Sequence, residues 1–360
     1  VRLAHLASLD LRSSYPPALY AHVLAYLDAN PPSSTATRPR TVLDLGAGPG
    51  LSTFPLAPHF DRAIGVDPSL GMVTAARDLL TERISAGEVD EGRIRFEQGT
   101  ADSLLRVVED ESVDLAVAGP SLRRRSTLQS GQVLKHSLHS TGQAAHWFDP
   151  AATYAELARV LKPGGAFAFW GYGECFFPSR PELSELIPPY SGGTLGAFPP
   201  LFRSLLLCPR SDHPTLRTGK YWEQPGRSIV EGLLVRFPLP LPSVFPSASS
   251  PAQRFDPATF HRSFFLRSAS SPAPSLLPAE SSASSPVETS THPLLLVKHW
   301  SLSDLTAYFR TWSSRHAYQE EHGKDPVEGI VSALRERGLR EGEVVEVGWE
   351  VAVVMGRKRK

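Results

Sequence analysis

The chain has 360 residues and a mass of 39.2 kDa, enough for one large domain or two modest ones with a substantial core. Lys+Arg and Asp+Glu both total 37, so the net charge is zero and the pI lies near 7.3, which argues against a general nucleic-acid binder with its clustered basic excess. No run approaches the ~18 apolar residues of a membrane span, no charged-then-apolar leader follows Val1, and two cysteines, Cys175 and Cys208, make no disulfide framework, so the expectation is a soluble, cytoplasmic protein.

Residues 41–172 read as strands alternating with helices. Apolar, β-branched runs fall at Thr41–Leu45, Ala63–Val66, Ile94–Glu97, Val113–Ala118 and Ala166–Trp170, with helical spacing between them, as in Met72-Val73-Ala75-Ala76-Leu79-Leu80. That alternation predicts a parallel sheet covered on both faces. Asp149-Pro150 reads as an N-cap and N1 pair opening a helix over Ala151–Leu161, which glycine at Gly164 or Gly165 can end in the left-handed conformation. The final strand is expected over Glu343–Met355. Two stretches break the pattern. Serine and proline supply 22 of the 50 residues in 241–290, a composition too poor in packing groups to fold alone, so a mobile loop is expected, anchored at Phe260–Leu266. Pro120–Gly142, with Arg123-Arg124-Arg125, reads as a solvated loop, and Arg357-Lys358-Arg359-Lys360 as a frayed tail.

Thr41-Val-Leu-Asp-Leu-Gly-Ala-Gly-Pro-Gly50 is the strongest motif. A buried strand ends in Asp44, and Gly46, Gly48 and Gly50 turn into a helix expected near Leu51-Ser52-Thr53. Positions without side chains let a ligand lie against the backbone at a helix N-terminus. The dinucleotide fingerprint G-x-G-x-x-G wants its third glycine where Leu51 stands. Gly65-Val66-Asp67 ends the second strand with a carboxylate placed for both ribose hydroxyls of an adenosine, and Gly99-Thr100-Ala101-Asp102 follows the third.

These residues resemble class I S-adenosylmethionine-dependent methyltransferases, with their D/E-x-G-x-G-x-G loop, acid ending strand two and acid after strand three. The resemblance implies an α/β, Rossmann-like fold: a seven-stranded, mostly parallel sheet, helices on both faces and an antiparallel hairpin at one edge. It places S-adenosyl-L-methionine against Gly46, Ala47, Gly48 and Gly50, its ribose on Asp67 beside Pro68 and its adenine near Ala101 and Asp102, with Asp44 supporting the loop. A second string, Ala144-Ala-His146-Trp147-Phe148-Asp149, followed by Leu161-Lys-Pro-Gly-Gly165 and Trp170-Gly-Tyr172, looks like the trans-aconitate-methyltransferase-like branch, which methylates small acids and related small molecules. Arg12-Ser-Ser-Tyr15-Pro16, Tyr221-Trp222 through Arg227, and Trp300 through Tyr318 resemble that branch's entry segment, lid and late helix. The implied organisation is an N-terminal cover (1–40), a cofactor-binding core (41–172), a substrate cover (173–298) and C-terminal helices with a last strand (299–360).

Methyl transfer from a sulfonium is an in-line displacement in which protein groups position the nucleophile and exclude water. It needs no metal, and no metal-ligand spacing is present. An unperturbed imidazole titrates near neutrality, so His146 is a candidate base for an acceptor hydroxyl or orients its loop; a carboxylate acceptor needs no base. Tyr15, Trp147, Trp170 and Tyr172 are candidate walls of the acceptor cavity or core aromatics, and Arg227 a partner for an acidic substrate. The expected acceptor atom is a carboxylate or hydroxyl oxygen. Carbon methylation of a quinone-like ring and a cofactor-binding relic are the alternatives, and the choice between monomer and homodimer stays open. Removing Pro120–Gly142 joins Val-Ala-Gly119 directly to Gln143-Ala-Ala-His146, which marks that segment as foreign to the fold or as a loop added beside the site.

Overall fold

The computed structural model describes residues 15–32, 39–104, 107–119, 149–194, 221–222, 232–247, 250–268, 271–277, 280 and 287–360. The inserted segment 120–142, His146, Trp147, Phe148, Arg227 and Cys208 lie outside the described residues. Among the described residues nine strands form one sheet: β1 Thr41–Leu45, β2 Arg62–Asp67, β3 Ile94–Gln98, β4 Val113–Ala118, β5 Leu161–Phe176, β6 Phe255–Leu266, β7 Glu288–Pro293, β8 Leu296–Ser301 and β9 Val344–Lys358. Their order is β3-β2-β1-β4-β5-β9-β6-β7, with β8 on β9 beyond the end of β6. The first five are mutually parallel, as their alternation with helices requires. Every residue of β1 and β4 is buried, which is why both read as largely apolar runs broken only by Thr41, Asp44 and Asp114.

The fold class is the expected one, but the sheet has nine strands rather than seven. Its antiparallel strand β9 lies between β5 and β6 rather than at an edge. Strands β6 and β7 come from the span expected to cover the sheet and instead extend it.

Helices lie on both faces. On one, α1 (Pro17–Ala29), α2 (Thr53–Leu56) and α3 (Leu70–Ser85) bury Leu19, Val23, Leu27, Phe54, Val73 and Ala76. The same core takes in α6 (Leu302–Arg310), α7 (Ser313–His322) and α8 (Val327–Glu336), which follow the four-residue α5 (Pro181–Ser184) in the chain. The other face carries α4 (Pro150–Val160), with Tyr154, Leu157 and Val160 against Phe167 and Phe169. Asp149 caps α4 as expected, its Oδ1 accepting from the Ala152 amide at 3.1 Å, with proline at N1. The helix ends at Val160, earlier than the glycines. Leu161 is already extended, and left-handed Gly164 (φ 78°) lies inside the long β5.

Two expectations fail for reasons of charge. The Ser/Pro-rich span contains a twelve-residue strand, β6, with Phe255, Phe260, Phe264 and Leu266 buried. Arg262 in its middle is fully buried, pairs with Glu280 through Nε and Nη2 at 2.8 and 2.6 Å, and donates to the carbonyls of Leu234 and Phe237. A buried guanidinium is tolerable only when its donors are satisfied, and here they organise the chain around it. The basic C-terminus does not fray either. Arg357 and Lys358 belong to β9 and are 5% and 7% exposed. Arg357 donates to the carbonyls of Tyr26, Leu27 and Asn30 at the end of α1 and to Gly164, while Lys358 bonds Glu111 and the Leu161 carbonyl.

No helix among the described residues is long and apolar enough to cross a membrane. Replacing Arg262 with methionine should strand Glu280 and cost about 3–5 kcal/mol in urea unfolding, whereas Arg262→Met with Glu280→Leu should recover most of that loss.

Candidate active site

The loops after β1, β2 and β3 meet at one end of the sheet, beside the crevice where the strand order reverses between β1 and β4. The Gly46 and Ala47 amides both donate to the Val66 carbonyl, at 2.7 and 3.0 Å, so the loop folds across the end of β2. Gly46, Gly48 and Gly50 take left-handed φ values of 68°, 55° and 92°, which excludes most side chains there. Gly50 answers to packing rather than to a ligand: a Cβ on it would stand 2.7 Å from both the Phe54 and Phe96 rings.

Beneath this loop lie two carboxylates, each 1% exposed. Asp67 accepts from the Gly48 amide at 3.0 Å and the Ser69 amide at 2.8 Å, so the acid ending β2 holds the glycine loop and the start of α3 together. Asp44 accepts from the Thr53 hydroxyl at 2.6 Å. Burial, opposed by the Thr53 bond and reinforced by the nearby Asp67 charge, pushes the Asp44 pKa up to about 7. Pro68 follows, its carbonyl accepting from Gln98, and the Gly99 amide donates to the Asp67 carbonyl. Those bonds set the turn at Thr100–Ser103 beside the loop, with Ala101 buried and Asp102 exposed. The cofactor-side residues expected from sequence thus occupy three adjoining loops. The helix after the glycines does not follow expectation: α2 spans four residues and passes into a single 3₁₀ turn, because Pro55 and Pro58 supply no amide hydrogen. An N-terminal dipole contributes little there.

Tyr15, Trp170 and Tyr172 come together on the other side. The Tyr15 ring lies edge-on to Trp170 at 5.8 Å and 6.3 Å from Tyr172. Trp170 is 1% exposed, and its indole Nε1 has no hydrogen-bond partner among the described residues. Gly119, at the end of β4, borders it so closely that a Cβ would stand 2.8 Å from that nitrogen. An unmade bond on a buried N–H costs about 1–3 kcal/mol, so it marks a place where a ligand oxygen is welcome.

Sequence reasoning missed Tyr20, which meets Trp170 edge-on at 6.2 Å and places its hydroxyl by Ser52 and the Leu51 carbonyl. Burial raises its pKa. Its signal was the helix start at Pro16-Pro17, which puts Tyr20, five residues after Tyr15, in the first turn. Trp349, 6.4 Å from Tyr172 and hydrogen-bonded through Nε1 to Tyr308, was also unassigned.

Residues 37–176, from just before β1 to the last residue of β5, match the family described as "Methyltransferase domain". The match takes in the first five strands and the loops that end β1, β2 and β3. The chain is 27% identical over 181 residues to "Probable S-adenosylmethionine-dependent methyltransferase CRG1" of Saccharomyces cerevisiae, covering 50% of each chain. It is 29% identical over 146 residues to "Uncharacterized methyltransferase YcgJ" of Bacillus subtilis, covering 41% of this chain and 45% of that one. The chain therefore spans about half the length of the curated relatives it matches. A structure of a type II methyltransferase candidate from Anaeromyxobacter dehalogenans superposes with a TM-score of 0.57 at 22% identity, covering 96% of this chain and 97% of the other, which shows a shared fold.

A buried carboxyl with a raised pKa favours the folded state at low pH, and that benefit is lost as pH rises from about 4 to about 7. Asp44→Asn should therefore gain stability over the parent by roughly 2–4 kcal/mol at pH 8 and little at pH 4, measured by denaturant unfolding across that range.

Proposed function

We propose that this chain is an S-adenosylmethionine-dependent methyltransferase of the trans-aconitate-methyltransferase-like branch, methylating a small molecule on a carboxylate or hydroxyl oxygen. The observation that carries the reading is Asp67, which joins the left-handed glycine loop to the end of β2 within the segment that matches the methyltransferase family. S-adenosylmethionine is the cofactor, consistent with the domain match and the relative in yeast.

The residues present fit that group. Each carboxylate oxygen can accept two hydrogen bonds, so Asp67 can hold ribose hydroxyls as well as its loop amides, with Pro68, Ala101 and the exposed Asp102 beside it. Gly46, Ala47 and Gly48 keep large side chains away from the methionine part, Gly50 lets the loop pack on Phe54 and Phe96, and Asp44 supports the loop through Thr53. When bound, the cofactor would supply an electrophilic methyl on a sulfonium, to which an acceptor oxygen would bond in line as the C–S bond breaks and the electron pair leaves with the thioether sulfur. Tyr15, Trp170 and Tyr172 wall the acceptor and exclude water, and the Trp170 N–H donates to one of its oxygens. His146 takes the proton of a hydroxyl acceptor, Trp147 completes the wall and Arg227 pairs with an acidic group. The flat aromatic surfaces around Trp170 also favour a second reading, carbon methylation of a quinone-like ring.

Calorimetric titration with S-adenosylhomocysteine tests the cofactor site. The parent chain should bind, and Asp67→Ala should weaken binding by about tenfold to over a hundredfold, the equivalent of roughly 1.5–3 kcal/mol. No binding by the folded parent overturns the reading. With candidate acids and phenols as acceptors and a labelled methyl group, Trp170→Phe should raise the acceptor KM about tenfold and leave homocysteine-nucleoside affinity unchanged.

A further inference from the structure

Outside the site, three imidazoles converge where α1 crosses the β6–β7 edge. His22 Nε2 on α1 lies 2.8 Å from the Ser263 hydroxyl of β6, and Ser263 lies 3.1 Å from the Ser290 hydroxyl of β7. Ser290 in turn contacts His261 Nε2 at 2.9 Å and His292 Nε2 at 2.8 Å. Parallel pairing puts Ser263 opposite Ser290 and His261 opposite Glu288, so the cluster occupies one face of the two strands. The His22 ring meets His292 edge-on at 5.1 Å and Phe265 at 5.3 Å, and Phe265 stacks on His292 at 4.8 Å.

Proton counting shows what this arrangement can sense. Its four hydrogen bonds need four protons; the two serine hydroxyls supply two, so two imidazoles donate from Nε2 and the third accepts. All three rings can be neutral in that state. If all three become imidazolium, five protons meet four contacts and three positive charges face one another within a few ångströms. The only carboxylate that reaches the cluster among the described residues is Glu288, 3.4 Å from His261 Nδ1, and its side chain is 79% exposed, so it offsets little. These residues form no group able to hold a metal ion, which leaves proton binding as their chemistry.

We infer that His22 and His292, bridged by Ser263 and Ser290 beside His261, form a pH-sensitive latch that holds α1 on the β6–β7 edge when both are neutral and releases it when they are protonated. Burial first, then the His292 and His261 charges, depress the His22 pKa to about 4, and burial and His261 lower that of His292. The unfolded imidazole titrates near 6.5, so unlatched states bind more protons. The contribution of the latch is complete above about pH 6.5 and is lost as pH falls towards 4. Because Tyr15 and Tyr20, at and just before the start of α1, pack on Trp170, release loosens the acceptor wall as well.

Hydrogen exchange of the full chain, corrected for intrinsic rates, tests this without any ligand and independently of the methyltransferase reading. Between pH 7.5 and 5.0, exchange of residues 17–29 in the parent should rise about tenfold, a linkage value reduced for the partial exposure of His22. In His22→Gln/His292→Gln, where each amide can still reach its serine but does not titrate, the rise should stay within about twofold. An equal rise in the double variant, or none in the parent, overturns the latch. Should the double variant fail to fold, His292→Gln alone must lower the midpoint of the parent's pH profile or the inference falls.

Discussion

The last carbonyls of a helix have no partner within it, and at α1 Arg357 supplies one for three of them. Much of the molecule depends on that contact. It fixes α1 against β9, and β9 lies between β5 and β6, so the helix, the sheet centre and the acceptor wall share one frame. Trp170 is opposite Val353 on β9 and edge-on to two tyrosines at the other end of α1. Burial of the guanidinium lowers its pKa, and the cost of desolvating it is offset by four carbonyls and the face of Tyr26, over which it sits at 4.7 Å.

The first five strands were legible because their burial is set locally. A strand covered on both faces by its own neighbouring helices is mostly apolar, and Thr41–Leu45 and Val113–Ala118 are so apart from Thr41, Asp44 and Asp114. Asp149 was legible because a cap acts within three residues of itself. What sequence could not show were partners far along the chain. In the Ser/Pro-rich stretch only Phe260–Leu266, which contains Arg262, read as anchored, because Glu280 and the Leu234 and Phe237 carbonyls are brought to Arg262 only by folding. Arg357 and Lys358 looked like a tail because their acceptors lie about 330 and 200 residues away.

The cofactor side was legible in its residue types more than in its mechanics. Gly46, Gly48, Asp67 and Asp102 occupy adjoining loops, but the acid ending β2 holds the loop's own backbone, and Gly50 is shaped by Phe54 and Phe96. Two prolines cut short the helix that was expected to present its N-terminus. The acceptor side divides similarly. Tyr15, Trp170 and Tyr172 meet, Tyr20 joins them unannounced, and His146, Trp147 and Arg227 fall outside the described residues.

The position of β9 also bears on how the chain reaches this state. A strand formed by residues 344–358 is threaded between β5 and β6, and its final arginine closes a helix that begins at residue 17. Contacts of such sequence separation close late and slowly. During synthesis the parallel half, β1 to β5, can assemble as it emerges, while the outer edge of β5 waits with its backbone amides and carbonyls unpaired. Until residue 358 has cleared the ribosome, that open flank is the part of the nascent protein most in need of a chaperone.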